Sequence, residues 1–178
     1  MAYATIQEAQ AYFDDRLHER AWSLATADDQ RKSLEASTRI IDTLRYKGFK
    51  NAVYVYLLAN PDVAECAAKG DADALALIRV QEASQPNEFP RGADTTVNQN
   101  ILWATYEIAH ELLDGVDPDL ELENLAVNRH GIGAVRTSFN RNQEPLEHIL
   151  NGVPSAKAWK WLRPYLLDGN HIRLNRVS

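Results

Sequence analysis

The chain has 178 residues, which is enough for one domain with a hydrophobic core and short for two. A hydrophobic content of 45% and a charged content of 25% are typical of globular proteins. The net charge of −6 argues against a dedicated binder of nucleic-acid backbone, because such proteins usually carry a basic balance.

The cysteine content and the N-terminus indicate the compartment. The single cysteine, Cys66, excludes an internal disulfide and a multi-cysteine metal site, and it fits a reducing environment. The first ten residues lack the basic start and apolar run of a signal peptide, and no apolar run has the length of a membrane span. We therefore expect a soluble protein with no membrane partner, assembled in the cytoplasm.

The N-terminal sequence predicts a capped helix. Thr5 is followed three residues later by Glu8, the pattern of a capping box in which each side chain satisfies a free backbone donor. Apolar residues continue at helical spacing as far as Leu17. The first helix is therefore expected at about 5–18.

A second helix is predicted after a short connector. Trp22 lies in that connector and is expected to fill the core. Thr26 or Asp28 can cap the helix, and Gly48 is expected to close it. Its apolar stripe is narrow and consists of Leu34, Ser37, Ile41 and Leu44.

Residues 51–88 are harder to assign. The run NAVYVYLLA at 51–59 has the composition of a strand, but it also suits two helical turns. Asn60-Pro61 indicates a helix start and Gly70 a stop, and Asp71 can cap the run that follows. We favour short helices throughout this region.

The stretch at about 95–114 has the strongest apolar helical pattern in the chain. At about 100° per residue its apolar residues cover roughly half of the helix surface. Glu107 and Glu111 are expected to face water, flanked by Trp103 and His110. Since such a helix needs neighbours on most sides, we predict a mainly α protein, a small bundle around this central buried helix.

The C-terminal third is expected to contain an arm and a tail. Two β-compatible runs, 125–127 and 134–137, are separated by turn residues and predict a short β-hairpin or extended arm at about 124–142. Ser155 can cap a further helix, which Pro164 interrupts. Residues 168–178 show no periodicity and are expected to form an extended tail of the single domain 1–178.

His110, Glu111 and Asp114 form the most site-like cluster. A zinc-binding helix needs a second histidine four positions after the first, and Asp114 stands there instead. We interpret the cluster as a polar helix surface, and a metal-dependent hydrolase is the third alternative. Cys66 has no histidine near it in sequence and is not expected to be a nucleophile. We predict no enzymatic activity, no metal and no cofactor.

Charge is unevenly distributed. Residues 107–123 contain seven acids and no lysine or arginine, whereas 155–178 contain five basic residues and one acid. These segments are either two solvated faces or surfaces through which one copy meets the opposite end of another. Within the basic segment, Trp159, Trp161 and Tyr165 either anchor an interface or cap the core, and the core is expected for Trp161 and Tyr165.

Several segments together resemble bacteriophage head-to-tail connector (adaptor) proteins, a group also described as DnaT-like single-stranded-DNA-binding proteins. Their order and spacing carry the resemblance. Residues 51–88 depart from the family, in which a short link joins the flanking motifs. The segments are YATIQEAQAYF at 3–13, Ala21-Trp22, STRIIDTLRYKG at 37–48, FPR at 89–91, the central helix and PYL at 164–166.

The resemblance implies an α-helical protomer that forms a ring, usually dodecameric, beneath the portal of the capsid. It implies that the C-terminal segment contacts the portal, with the candidates Trp159, Lys160, Arg163, His171, Ile172, Arg173, Leu174 and Arg176. It implies that the arm contacts a neighbouring subunit or the next tail component, with the candidates Leu125, Val127, Arg129, His130, Val135, Arg136, Phe139 and Arg141.

The implied partners are further copies of the chain, the phage portal protein, and a downstream tail, nozzle or fibre protein. Double-stranded DNA would pass through the ring in the virion neck without sequence-specific binding. An acidic ring suits that passage, because tight binding requires cations that neutralise phosphates. The enlargement at 51–88 would be an outward decoration or a docking surface for a tail protein. The alternative function is a single-stranded-DNA-binding module that uses the basic, aromatic C-terminus.

Overall fold

The computed structural model describes residues 2–126, 129–132, 135–138 and 147–167. Within these ranges the chain is mainly helical, as predicted, with ten α-helices, two strands and one 3-10 turn. The elements are α1 (Ile6–Asp14), α2 (Arg20–Leu24), α3 (Ala27–Asp42), α4 (Asn51–Ala59), α5 (Pro61–Ala68), α6 (Ala72–Ser84), α7 (Gln99–Leu113), α8 (Pro118–Ala126), β1 (Arg129–Ile132), β2 (Val135–Ser138), α9 (Glu147–Leu150), α10 (Ala156–Leu162) and the 3-10 turn Arg163–Tyr165.

The first helix begins as the sequence predicts. The Glu8 backbone donates to Thr5 Oγ1 at 3.3 Å, and the Thr5 backbone donates to the Glu8 carboxylate at 2.8 Å, so the capping box is confirmed. The helix ends at Asp14 rather than near residue 18. Leu17 therefore lies beyond it and is 83% exposed.

Trp22 fills the core as predicted, but it lies in α2 and not in an irregular connector. Its ring stacks on Phe13 with 4.7 Å between centroids. Its indole N–H donates to the side-chain oxygen of Gln10 at 3.0 Å, so the polar edge of the buried ring is satisfied. A short helix is sufficient to aim this side chain inward.

Helix α3 is capped by Thr26, as predicted, but it ends at Asp42, so the prediction that Gly48 closes it is wrong. The Tyr46 hydroxyl donates to the Ile41 carbonyl at 2.8 Å and satisfies one of the carbonyls left free at the helix end. Gly48 lies in the turn that follows, with a φ of +72°, where glycine has no Cβ penalty.

Helices α3 and α7 run antiparallel through the centre. Leu34, in the middle of α3, packs in one hydrophobic cluster with Ala109 of α7, and Ile41, near the end of α3, packs in the other with Ile101. Helix α7 thus contributes to both clusters, and its buried apolar residues are Ile101, Ala104, Tyr106, Ile108 and Ala109.

Helices α4, α5 and α6 form the insertion, so the favoured helical interpretation of 51–59 is confirmed. The Asp71 carboxylate accepts a hydrogen bond from the Ala74 backbone at 2.9 Å, as the predicted cap. All residues of these helices are described, and their buried side chains are Val53 and Ala74.

The region after α7 differs from the prediction. The Asp117 carboxylate accepts from the Asp119 backbone at 3.0 Å and Pro118 opens a helix, so α8 includes the start of the run expected as a strand, 125–127. Strands β1 and β2 pair antiparallel, with Arg129 opposite Ser138. The residues between 127 and 134, which were expected to form a turn, therefore include the strand β1. The predicted arm is described only in part, and the tail 168–178 lies outside the described residues.

Candidate functional site

Three segments of the chain meet around Asp42, at the end of α3. The Tyr3 hydroxyl donates to Asp42 Oδ1, which also accepts from the Glu88 backbone at 3.1 Å. The Phe89 backbone donates to the Tyr3 hydroxyl oxygen at 3.1 Å. Burial raises the pKa of Asp42, and burial together with the Asp42 hydrogen bond raises the pKa of Tyr3. We call Tyr3, Asp42, Tyr46, Phe89 and Arg91 the junction.

The ring of Phe89 is the apolar centre of the junction. It lies edge-on to Tyr3 at 6.1 Å, to Tyr46 at 4.7 Å and to Tyr165 at 6.1 Å between centroids. Phe89 is 4% exposed. Edge-to-face contacts of this kind add to the energy of burial, so one side chain joins the N-terminus, the end of α3 and the C-terminal segment.

Arg91 holds the turn after α3. Its guanidinium donates to the backbone carbonyls of Tyr46, Lys47 and Gly48, and it pairs with Glu88 at 2.5 Å. The same group lies 5.6 Å from the centroid of the Tyr46 ring. A guanidinium can make several such contacts because its five N–H donors have a rigid planar arrangement.

The C-terminal segment is attached to the same turn. The Lys47 backbone donates to the Tyr165 carbonyl at 2.9 Å, and the Leu167 backbone donates to the Arg45 carbonyl at 3.0 Å. The Tyr165 hydroxyl donates to the Asn98 side chain at 2.9 Å, beside the start of α7. The point from which the tail continues is therefore fixed against the junction.

The predicted portal-contact residues have different environments. Trp159 is a core residue, 8% exposed, and its indole donates to Glu147 Oε2 at 3.2 Å, while its role as a portal contact stays a prediction. Lys160 and Arg163 are exposed. Trp161, expected in the core, is 37% exposed and packs on Trp103 at 4.8 Å. The other candidates, His171, Ile172, Arg173, Leu174 and Arg176, lie outside the described residues.

The predicted arm residues are also divided. Arg129 and His130 lie on β1, Val135 and Arg136 lie on β2, and Leu125 lies on α8. Their role as a contact surface stays a prediction. The remaining candidates, Val127, Phe139 and Arg141, lie outside the described residues.

The expectation that Glu107 faces water is wrong, because its side chain is 1% exposed. Arg16 binds both of its carboxylate oxygens, with Nε at 3.1 Å and Nη2 at 2.7 Å. The Tyr12 hydroxyl donates to it at 2.6 Å, and Lys157 Nζ lies at 3.6 Å. Glu107 thus joins α1, α7 and α10, and its sequence neighbours carry no sign of this.

His110 is also buried rather than on the surface, with 8% of the residue exposed. Its ring lies 5.8 Å from that of Phe13, and neither ring nitrogen makes a hydrogen bond of normal geometry. Burial, reinforced by the positive charge of Arg16, lowers the pKa of His110, and the negative charges of Glu107 and Asp114 together with the His18 backbone only partly oppose this. Burial raises the pKa of Glu111.

Two further findings concern ligands and membranes. Within the described ranges, no group of three or more His, Cys, Asp or Glu side chains is placed to hold a metal ion. Among the helices in those ranges, none combines the length and the apolarity required to cross a bilayer.

A groove of about 840 Å³ lies between α2, the start of α3 and the end of α7. Its lining includes the apolar residues Leu24, Ala36 and Leu112, together with the cations Arg20 and Lys32 and the acids Asp29 and Asp114. Volumes of this order are typical of sites that hold several side chains or a small ligand. Sequence reasoning missed this groove, because its walls come from three separate helices.

The junction brings together three of the segments on which the resemblance rests, 3–13, 37–48 and 89–91, and a fourth, 164–166, contacts it through Tyr165 and Leu166. Their spacing in the sequence therefore corresponds to direct contacts in the fold. The chain matches no protein-family model, no curated protein and no solved structure.

Proposed function

We propose that this chain is a structural component of the neck of a tailed bacteriophage. As an adaptor, it assembles as a ring under the portal, connects the capsid to the tail and lines the DNA channel. The observation that carries the proposal is the junction, because the segments that resemble adaptor proteins bond to one another there. The residues behind the resemblance are thus the residues that hold the fold together.

The C-terminal end supports contact with the portal. The chain leaves the junction at Leu167, whose backbone is bonded to Arg45. Lys157, Lys160 and Arg163 are exposed on the adjoining helical segment, and the tail 168–178 adds two arginines. A basic segment that starts from a fixed point suits docking on an acidic partner surface.

The acidic region supports contact between copies and passage of DNA. Asp114, Asp117, Asp119 and Glu123 are exposed, whereas Glu107 is neutralised inside the protein. The exposed acids can meet the basic end of a neighbour, or they can face the channel. In the channel they repel phosphates rather than bind them.

The proposal is tested by mixing the protein with the portal protein of the same genome and imaging the particles by negative stain. The expected result is one added ring per portal, probed for its dodecameric mass by mass photometry. Deleting 168–178 should abolish this binding while the thermal unfolding temperature stays nearly unchanged, because the tail sequence has no apolar periodicity. Absence of any complex with the intact chain would overturn the proposal.

The alternative, a single-stranded-DNA-binding module, is favoured by one observation. Trp161 is partly exposed between the exposed cations Lys160 and Arg163, and unpaired strands are held by stacking together with cationic contacts. A gel-shift titration at several salt concentrations separates the two functions. Tight and steeply salt-sensitive binding that Lys160→Glu with Arg163→Glu abolishes would support this alternative against the adaptor.

A further inference from the structure

His110 is a buried histidine that the packing of α7 does not explain. It is 8% exposed, and neither Nδ1 nor Nε2 makes a hydrogen bond of normal geometry. Its ring lies 5.8 Å from that of Phe13, which stacks on Trp22 at 4.7 Å between centroids. A buried polar group without a partner lowers stability, and an apolar ring would fill the same space without that cost. The imidazole therefore points to a role that depends on its proton.

Residues 15–19 join α1 to α2 and are attached to α7 through the side chain of Arg16. Its guanidinium donates to both carboxylate oxygens of Glu107, at 3.1 Å from Nε and 2.7 Å from Nη2. It also lies 5.6 Å from the centroid of the Phe13 ring. Leu17, the next residue, is 83% exposed and contributes little packing. The position of the 15–19 segment therefore depends on the pair of Arg16 with Glu107.

The backbone of this segment has a conformation that the same arginine supports. His18 has a φ of +62°, in the left-handed region that is uncommon for residues other than glycine. Its carbonyl accepts a hydrogen bond from Arg16 Nη1 at 3.2 Å. Strained backbone of this kind persists where neighbouring contacts hold it in place. Removing Arg16 from the surface of α7 therefore removes support for the closed segment.

Charges of both signs surround the His110 ring. The positive charge of Arg16 disfavours protonation of the ring, whereas the negative charges of Glu107 and Asp114 favour it. Glu107 stands three positions before His110, so the two side chains are neighbours on the helix surface. Glu107 is thus an acid that lies next to both His110 and Arg16. The other titratable side chains on this part of α7 and on the elements packed against it include Glu111 of α7, Tyr12 of α1, Arg20 of α2, Asp29 and Lys32 of α3, and Lys157 of α10.

A protonated His110 would compete with Arg16 for Glu107. The imidazolium has two N–H donors and no acceptor, and its side chain neighbours the carboxylate on the helix. Two cations beside one carboxylate repel each other strongly where water is scarce. His110 is fixed on α7, whereas the Arg16 side chain extends from an irregular segment and is already 12% exposed. Arg16 is therefore the cation that can move into water.

We propose that protonation of His110 opens the 15–19 segment, as a pH-dependent device built into the fold. The imidazolium takes the place of Arg16 beside Glu107, and Arg16 turns into solvent and draws the segment off α7. The Phe13 ring, 1% exposed in the closed structure, then becomes accessible. Burial lowers the pKa of His110, so the segment stays closed at neutral pH and opens below about pH 6.5. This device belongs to the free chain and does not depend on the proposed function.

Nuclear magnetic resonance of the intact chain tests the opening between pH 7 and pH 5. The Arg16 Nε–H reports on the pair with Glu107, and the exposed Arg163 in the same sample is the internal reference. Relative to Arg163, the Arg16 Nε–H should exchange with water at least about tenfold faster at pH 5 than at pH 7, because its carboxylate partner is lost. The midpoint of this change should coincide with the titration of the His110 imidazole. Backbone amides of α3 should keep their protection from exchange.

Every other result of this titration contradicts the proposal. If His110 becomes protonated while Arg16 stays protected, the two groups do not compete for Glu107. If Arg16 is released while His110 is still neutral, another group drives the opening. If α3 loses its protection with the same midpoint, the chain unfolds as a whole and the change is not local. These measurements use the wild type, so they decide the question even where a variant fails to fold.

Two histidine variants separate the role of His110 from that of His18. His110→Phe keeps a ring against Phe13 but cannot gain a proton, so Arg16 should remain protected at pH 5. His18→Asn is the matched control, because asparagine tolerates the left-handed backbone and its carbonyl can still accept from Arg16. This control should open as the wild type does. Release of Arg16 in His110→Phe, or no release in His18→Asn, would overturn the proposal.

Discussion

The central helices and the insertion are both rich in apolar residues, but they use them in opposite ways. Helix α7 buries Ile101 and Ile108 completely, whereas α4 and α6 leave Leu58 and Val80 about two-thirds exposed. Apolar composition alone does not separate the two regions. Their positions in the fold separate them. Helix α7 packs against α2, α3 and α10, whereas α4, α5 and α6 pack mainly against one another.

Polar groups show the same contrast. On the central helix α7, Glu107 is buried and is bound by Arg16 and Tyr12. In the insertion, Lys69 and Glu65 form an ion pair that is 70% exposed on both sides. Exposed pairs contribute little to stability, whereas breaking a buried pair is costly. The buried polar contacts around α7 should therefore contribute strongly to the stability of the fold. Loss of an exposed contact in the insertion should lower the free energy of unfolding only slightly.

Replacing Glu107 with Ala should have the largest effect, a loss of about 3–5 kcal/mol in the free energy of unfolding. The substitution leaves the nearly buried Arg16 without its carboxylate. Urea denaturation measures the loss, with Glu65→Ala as the matched exposed control, expected within about 0.5 kcal/mol of wild type. The double variant Arg16→Met with Glu107→Leu should recover much of the loss. Equal losses of unfolding free energy for Glu107→Ala and Glu65→Ala would contradict the contrast between the buried and the exposed ion pair.

Phe89→Ala should cost about 3–4 kcal/mol, because it removes the ring that contacts three tyrosines in the junction. The decrease in thermal unfolding temperature measures it, and the C-terminal segment should become more accessible to protease. Phe49→Ala is the control, because Phe49 is 51% exposed. If Phe89→Ala unfolds at the same temperature as the wild type, the junction does not stabilise the fold.

The pH dependence of stability should report on His110. Its pKa is lowered in the folded state, so below about 6.5 the unfolded state binds more protons and stability falls with falling pH. Burial raises the pKa of Glu111 and Asp42 in the folded state. Their contribution to stability therefore has the opposite pH dependence to that of His110: it is present at low pH and is lost as pH rises through their folded pKa values. His110→Phe, which keeps a ring against Phe13, should reduce the loss of stability between pH 7 and pH 5.5. Unchanged urea midpoints across that range for the wild type would contradict this expectation.

Leu58→Ala should have the smallest effect, within about 0.5 kcal/mol of wild type, because its side chain is already 65% exposed. Val53→Ala, at the buried position of the same helix, should cost more, about 1 kcal/mol. Urea denaturation of the two variants measures how much core the insertion has. A large loss for Leu58→Ala in the monomer would mean that the insertion is packed as tightly as the body.

Local features could be predicted from the sequence because they depend on near neighbours. The caps at Thr5, Thr26, Asp71 and Ser155 each satisfy a backbone N–H three residues away, and all four are present. The burial of Trp22 follows from its size and its apolar surroundings. The start of α8 was missed because Asp117-Pro118, which caps and opens a helix, is also a common turn signal.

What the sequence alone determined is the helical class of the chain, most of its helix starts and the apolar stripe of α7. These depend on side-chain spacing and on hydrogen bonds within a turn of backbone. Only the tertiary structure decided which polar groups are inside and which apolar groups are outside. Glu107 is buried because Arg16, 91 residues away, reaches it, and Asp42 is held by Tyr3 and by the Glu88 backbone. Leu58 of α4 is exposed because no other part of the described chain covers it, which the apolar sequence of α4 would not suggest.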